Sequence, residues 1–208
     1  MKSDLVITPE QFKAALDAVL GGPTMKHRLG VCTAQTENSG KGLGEYTKIW
    51  DGSGDIYENL ANRLTLVYNR EHVNVGRGRL DAVFFHKDAP CPVSYKAGVW
   101  AYARLMSLVI EHENNPDSAY EEVGKLQQIN APLKALITYP RDGDGDTLWF
   151  DEYAKQLREW EEYVECSCPD FFEHQKFIVV LGWWLEKSAD YEWDYRLYKK
   201  GGIFEKIK

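Results

Sequence analysis

The tightest constraint on this chain is the stretch from Leu108 to Tyr139, which reads as strand, helix, strand within about thirty residues. Leu108-Val109-Ile110 is a short apolar run of the kind that forms a buried strand. Asn115-Pro116 then supplies a cap and a first helical position, and Tyr120, Val123, Leu126 and Ile129 are predicted to form the inner face of the helix that follows. Pro132 ends that helix, and Leu133 to Tyr139 is a second buried strand. A crossover of this size is right-handed and joins parallel neighbours, so strands near 107–112 and 133–139 are predicted to lie side by side in an α/β fold.

The rest of the chain is punctuated around this unit. Thr8-Pro9 with Gln11 is a capping box, and Phe12, Leu16 and Val19 fall at helical spacing before Gly21-Gly22-Pro23, which predicts a helix over 9–20. Apolar residues at 56, 60, 64 and 67 predict a second helical stripe, followed by a hairpin over Val73–Gly76 and Arg79–Phe85. Beyond the crossover, Tyr153, Leu157, Trp160 and Val164 predict another amphipathic helix, and Phe177–Leu185 with Tyr191–Tyr198 predict a closing antiparallel pair. Ser39 to Gly44 reads as irregular chain, because Gly40-Lys41-Gly42 lacks the spacing of a phosphate-binding loop. Arg141 to Asp146 resembles part of a calcium loop without its closing glutamate, and is read as a solvated turn.

Composition sets the outer limits. With 208 residues, 44% hydrophobic and 27% charged, the chain is sized for one domain over 1–208. The runs Val99–Ile110 and Phe177–Leu185 are too short or too interrupted to span a bilayer, and MKSDLVITPE lacks a secretory pattern, so no membrane association and a cytoplasmic location are expected. Cysteines at 32, 91, 166 and 168 are too sparse for a disulfide scaffold, and Cys166-Ser167-Cys168 with His174 matches no common zinc module. A net charge of −7 argues against nonspecific coating of nucleic acid. It leaves a nuclease open, since carboxylates gathered for Mg²⁺ add to that count and the bound ion reverses their local charge.

Chemistry concentrates on acids at strand ends. In Ile110-Glu111-His112-Glu113, residues 111 and 113 are two apart, so both carboxylates point to one face of a strand. Like charges at the end of an apolar strand repel and lose hydration unless a cation or a proton compensates them. Asp81, in Arg79-Leu80-Asp81-Ala82-Val83, opens another apolar strand. If the two strands pair, Asp81, Glu111 and Glu113 converge on one spot suited to Mg²⁺ or Mn²⁺.

Asp81, an apolar strand ending in Glu-x-Glu, a helix containing Lys125-Leu126 and the strand Leu133-Lys134-Ala135-Leu136-Ile137 together resemble the core of the PD-(D/E)XK nuclease superfamily, the restriction-endonuclease-like fold, over roughly 55–140. The resemblance implies a mixed central sheet flanked by helices, built in the order helix, three strands, helix, strand, to which this chain adds a C-terminal helix and antiparallel strands. It implies that Asp81 on the second strand and Glu111 on the third bind the metal, and that DNA phosphodiesters are hydrolysed. Two departures stand out: no proline precedes Asp81, and Glu113 occupies the place of the motif lysine. Glu113 can bind metal or accept a proton, but it brings no positive charge. Lys125 is the candidate to replace that charge, and Glu58, on the preceding helix, is a candidate further acid. His112 is expected to point away from Glu111 as a packed or solvent-facing side chain. Arg77 and Arg79 are either phosphate contacts or ordinary surface arginines.

Seven Trp and twelve Tyr complete the picture, with Tyr191, Trp193 and Tyr195 alternating onto one strand face. Core or dimer-interface packing is the expected role there, since Glu192 and Asp194 between them would repel a nucleic-acid backbone. A competing reading keeps the same scaffold without catalysis, as a module that binds a protein partner.

Overall fold

The computed structural model describes residues 6–22, 25, 50, 56–69, 74–75, 78–86, 106–113, 118–139, 148–167, 175–185, 190–199 and 202–208. The expectations for Cys32, Gly40–Gly44, Arg77, Cys91, Arg141–Asp146, Cys168 and His174 fall outside them, as do the side chains of Arg79, Tyr153 and Cys166.

Helix α1 (Pro9–Leu20) begins at the predicted capping box: the Gln11 N–H donates to Thr8 Oγ1 at 3.2 Å and the Thr8 N–H donates to Gln11 Oε1 at 2.9 Å. Helix α2 (Ile56–Arg63) buries Ile56, Tyr57, Leu60 and Ala61. The expected stripe ran on to 67, but the helix stops at Arg63. Thr65 there adopts φ 57°, a left-handed conformation that reverses the chain into strand β1 (Leu66–Asn69), where Val67 turns outward and is 50% exposed. The predicted hairpin is also corrected. Strands β2 (Asn74–Val75) and β3 (Gly78–Arg79) form a small separate ribbon, and β4 (Ala82–His86) pairs with β1 instead.

Strand β5 (Met106–Glu113), helix α3 (Ala119–Gln127) and strand β6 (Leu133–Thr138) make the crossover, with β5 and β6 parallel as predicted. Val123, Leu126 and Ile129 are buried as predicted, but Tyr120 is not, and Glu122 joins the inner face of α3. Ala119, Glu122, Val123 and Leu126 are buried, while Tyr120 is 48% exposed. Helix α4 (Leu148–Ser167) buries Leu157, Trp160 and Val164. Strands β7 (Lys176–Leu185) and β8 (Asp190–Lys199) are the antiparallel pair read from the sequence; β7 also runs parallel to β6, and an unforeseen β9 (Ile203–Lys206) closes the edge. The result is a mixed seven-stranded sheet, ordered β1-β4-β5-β6-β7-β8-β9, with four helices among the described residues.

Alternation along the strands divides the core in two. Ala82, Phe84, Leu108, Ile110, Ala135, Ile137 and Val180 pack with α1 and α2 on one face. Val83, Val109, Leu136, Val179 and Leu181 pack on the other with side chains of α3 and α4. Central strands buried on both faces read as unbroken apolar runs, which is why β5 to β7 were legible. Each fully buried Leu, Ile, Val or Phe contributes about 1.5–3 kcal/mol. Tyr195 is buried in the first core, with Tyr191 and Trp193 packed against it. Among the described residues, no helix is long and apolar enough to cross a membrane.

Candidate functional site

Strand β5 carries its apolar pattern as far as Ile110 and then continues for three polar residues. Val109 lies on the face covered by α3, so Glu111 and Glu113 point to that face and His112 to the other. Strand β4 pairs Val83 with Val109 and Ala82 with Ile110; one residue further, at the bend that precedes β4, Asp81 stands opposite Glu111. Facing side chains of antiparallel strands have Cβ atoms about 4.5–5.5 Å apart, so the two carboxyl groups are neighbours. Asp81 is held in place by the strand it faces, its Oδ2 accepting the His112 backbone N–H at 2.8 Å.

Glu111 is the unusual member. It is 0% exposed, and neither carboxylate oxygen has a hydrogen-bond partner. Burial, then the charge of Asp81, then that of Glu122, push its pKa up to about 11; the Lys125 ammonium acts in the opposite sense. Two ionised carboxylates offer only acceptors to one another. Once Glu111 carries a proton, its hydroxyl can donate to Asp81, and this contact is among the causes of the raised value. The pair therefore calls for a proton or a cation between its oxygens.

Helix α3 brings two further charges over the site. Glu122 occupies the buried stripe of the helix, and Lys125 Nζ lies 2.5 Å from Glu122 Oε2. The Lys125 pKa is affected most by partial burial, which lowers it; contact with Glu122 and the charges of Glu111 and Asp81 outweigh this, and the net shift is upward. Lys125 thus stands in the field of all three acids.

The other sequence candidates lie as follows. Glu113 is half-buried on the same face as Glu111, beside Thr138 in the parallel register; the Thr138 hydroxyl is fully buried and without a hydrogen-bond partner. Glu58 is on α2, whose buried side chains pack on the opposite face of the sheet, and it lines an open pocket of about 560 Å³ with Asn62, Thr65 and Tyr68. The structure does not bring Glu58 to the Asp81–Glu111 pair. His112 is packed, as expected: its ring contacts Trp50 at 4.4 Å between centroids, and its Nε2 is 2.8 Å from the Tyr139 hydroxyl. Burial lowers the His112 pKa to about 3.

Comparisons with protein-family models, with curated proteins and with solved structures found no match to this chain. Among the described residues, no group of three or more His, Cys, Asp or Glu side chains is arranged to hold a metal ion. A structural zinc centre needs four protein ligands, and the set here does not fit one. Mg²⁺ retains several waters and is commonly held by one or two carboxylates, so Asp81 with the orphaned oxygens of Glu111 fits a hard, oxygen-seeking cation.

Glu122 does not stand out in the sequence because Tyr120, Val123, Leu126 and Ile129 offer an apolar stripe at helical spacing. The signal was present. Ala119, Glu122, Val123 and Leu126 also follow a helical i, i+3, i+4, i+7 pattern, with an acid at a core position.

Proposed function

We propose that this protein hydrolyses phosphodiester bonds in DNA with Mg²⁺ or Mn²⁺ held by Asp81 and Glu111, as a divergent cytoplasmic member of the PD-(D/E)XK superfamily. The observation that carries this reading is the fully buried Glu111 carboxyl group opposite Asp81, a group whose oxygens, once ionised, have no hydrogen-bond donor. The order of elements supports it. Helix α2, antiparallel strands β1, β4 and β5, crossover helix α3 and parallel strand β6 follow the succession helix, three strands, helix, strand, with Asp81 at the head of the second strand and Glu111 in the third.

A divalent ion held by Asp81 and Glu111 would lower the pKa of a bound water and stabilise charge on phosphate oxygens. The side chains prepare the place for it. Asp81 is fixed by the His112 amide, and Glu111 is rigid because its strand is paired on both sides. Glu113, half-buried on the same face, is the group that orients the attacking water and accepts its proton. Lys125 supplies the positive charge that the strand lacks.

A second reading has its own support. A net charge of −7 and a Lys125 already paired with Glu122 suit a scaffold that no longer cuts DNA and binds a basic protein partner. Calorimetric titration of Mn²⁺ into wild type, Asp81→Ala and Glu111→Ala, with each protein also tested on labelled single- and double-stranded DNA, separates the two. Binding and cleavage lost together in both variants support the nuclease. A wild type as inert as the variants removes it and leaves the binding module.

A further inference from the structure

Strand β6 ends on a hydroxyl where the core calls for an apolar side chain. Alternation puts Thr138 on the same face as Leu136, where Leu136, Val179 and Leu181 pack with side chains of α3 and α4. Valine has nearly the shape of threonine and would continue that packing. Instead a hydroxyl stands there, 0% exposed, and its Oγ1 has no hydrogen-bond partner among the described residues. Leaving a buried hydroxyl unpaired costs stability, so such a group calls for an explanation. Its neighbours in the sheet show from which side a partner can come. Toward β7 it stands beside Leu181, and two residues back on its own strand lies Leu136; both are apolar and fully buried. Toward β5 it stands beside Glu113, at the spacing of paired strands, about 4.8 Å. Glu113 is half-buried on the same face, so water in contact with its carboxylate comes within reach of Thr138 Oγ1. Two polar side chains about this far apart are readily bridged by one water.

Resting on the nuclease reading above, we propose that Thr138 is a further catalytic residue, whose buried hydroxyl beside Glu113 holds the attacking water while Glu113 takes its proton. A water molecule has two protons and its lone pairs to place. One O–H donates to Glu113, and the other donates to Thr138 Oγ1, which accepts it and keeps its own proton. A lone pair of the water oxygen is then turned toward phosphorus. In the step itself that oxygen forms the new P–O bond and one of its protons passes to Glu113. The ester P–O bond breaks, its electron pair stays on the departing ester oxygen, and solvent protonates that oxygen. Thr138 neither gains nor loses a proton; it removes rotational freedom that a water held by Glu113 alone would keep. The hydroxyl is itself well fixed, because β6 is paired on both sides and a β-branched side chain is stiff at χ1.

Two variants separate this role from packing: Thr138→Val keeps the shape and removes the hydroxyl, whereas Thr138→Ser keeps the hydroxyl and removes the methyl group. The readouts are single-turnover cleavage of a labelled DNA duplex at saturating Mn²⁺, calorimetric Mn²⁺ affinity, and urea unfolding in chelator. Thr138→Val should cleave about tenfold more slowly, the scale of one lost hydrogen bond, with Mn²⁺ affinity within about threefold of wild type and an unfolding midpoint no lower. Thr138→Ser should cleave within about threefold of wild type, although the lost methyl group lowers its midpoint. Activity and stability then fall in opposite variants, which a packing role for Thr138 does not produce. A Thr138→Val protein that cleaves at the wild-type rate, or that loses rate and stability together, overturns the inference while the nuclease stands. A wild type that neither binds Mn²⁺ nor cleaves overturns both, so the two failures are told apart by the wild-type measurement alone.

Discussion

Replacing Glu111 with Gln is expected to stabilise the metal-free protein, by an amount that grows with pH. The folded pKa of Glu111 is raised from 4.5 to about 11, so between those values the unfolded chain ionises this carboxyl and the folded chain keeps it protonated. The native state then binds the extra proton, and stability falls as pH rises, by about 1.4 kcal/mol per unit. At pH 7 the wild type has lost about 3 kcal/mol through this one group, and at pH 5 less than about 1 kcal/mol. A glutamine at 111 cannot ionise, and its amide can donate to Asp81 much as the protonated acid does.

Two other groups titrate in the opposite direction. Burial lowers Lys134 from 10.5 to about 6 and His112 from 6.5 to about 3, so each destabilises the native state as pH falls through those windows. In wild type their slopes offset that of Glu111, and the profile should be shallow from roughly pH 5 to 10. In Glu111→Gln the offset is gone and stability should climb with pH. Urea unfolding of both proteins in chelator, from pH 5 to pH 8, reads the difference directly. Two profiles that run parallel, or a variant less stable at every pH, would refute the assignment of a buried, protonated Glu111.

Other outcomes follow from the same structure. If Mn²⁺ replaces the proton on Glu111, its affinity should rise by about tenfold per pH unit below the raised pKa, with about one proton released, measurable as a binding enthalpy that depends on the buffer; a pH-independent affinity would place the ion elsewhere. Thr65, a β-branched residue at φ 57°, carries backbone strain of about 1–2 kcal/mol that glycine would relieve, so Thr65→Gly should raise the melting temperature despite the added chain entropy. The Trp193 ring lies across Gly182 on the paired strand, leaving no room for a Cβ, and Gly182→Ala should destabilise by about 1–3 kcal/mol in urea unfolding.

The sequence disclosed most where one physical signal acted alone. Strands β5, β6 and β7 are apolar on both faces, helix α1 has its capping box, and all were legible without the fold. Strand β1 was hidden because Leu64 and Val67 extend the spacing of α2 and no Gly or Pro marks the break; the chain turns at Thr65, against its own preference, since β1 gains a partner in β4. That is tertiary pairing overriding a local pattern. Strand β9 was hidden because its four residues bury Phe204 alone, too little for a pattern.

The candidate site shows the same division. The alternation of β5 puts Glu111 and Glu113 together from sequence alone, but opposing Asp81 to Glu111 requires the register between β4 and β5, to which no single segment commits. Glu58 shows the reverse error, because a helix can neighbour an acid in sequence and still cover the other face of the sheet. Glu122 carries a general lesson. An ionisable residue in the apolar stripe of a helix departs from the folding pattern, and such departures are expected where function requires them. Here the helix lies on the two strands whose ends carry Glu111, Glu113 and Thr138, so the departure points to the same end of the sheet as the orphaned carboxyl group. Two departures from good packing, on elements that the crossover forces into contact, mark a candidate site more firmly than either acid does alone.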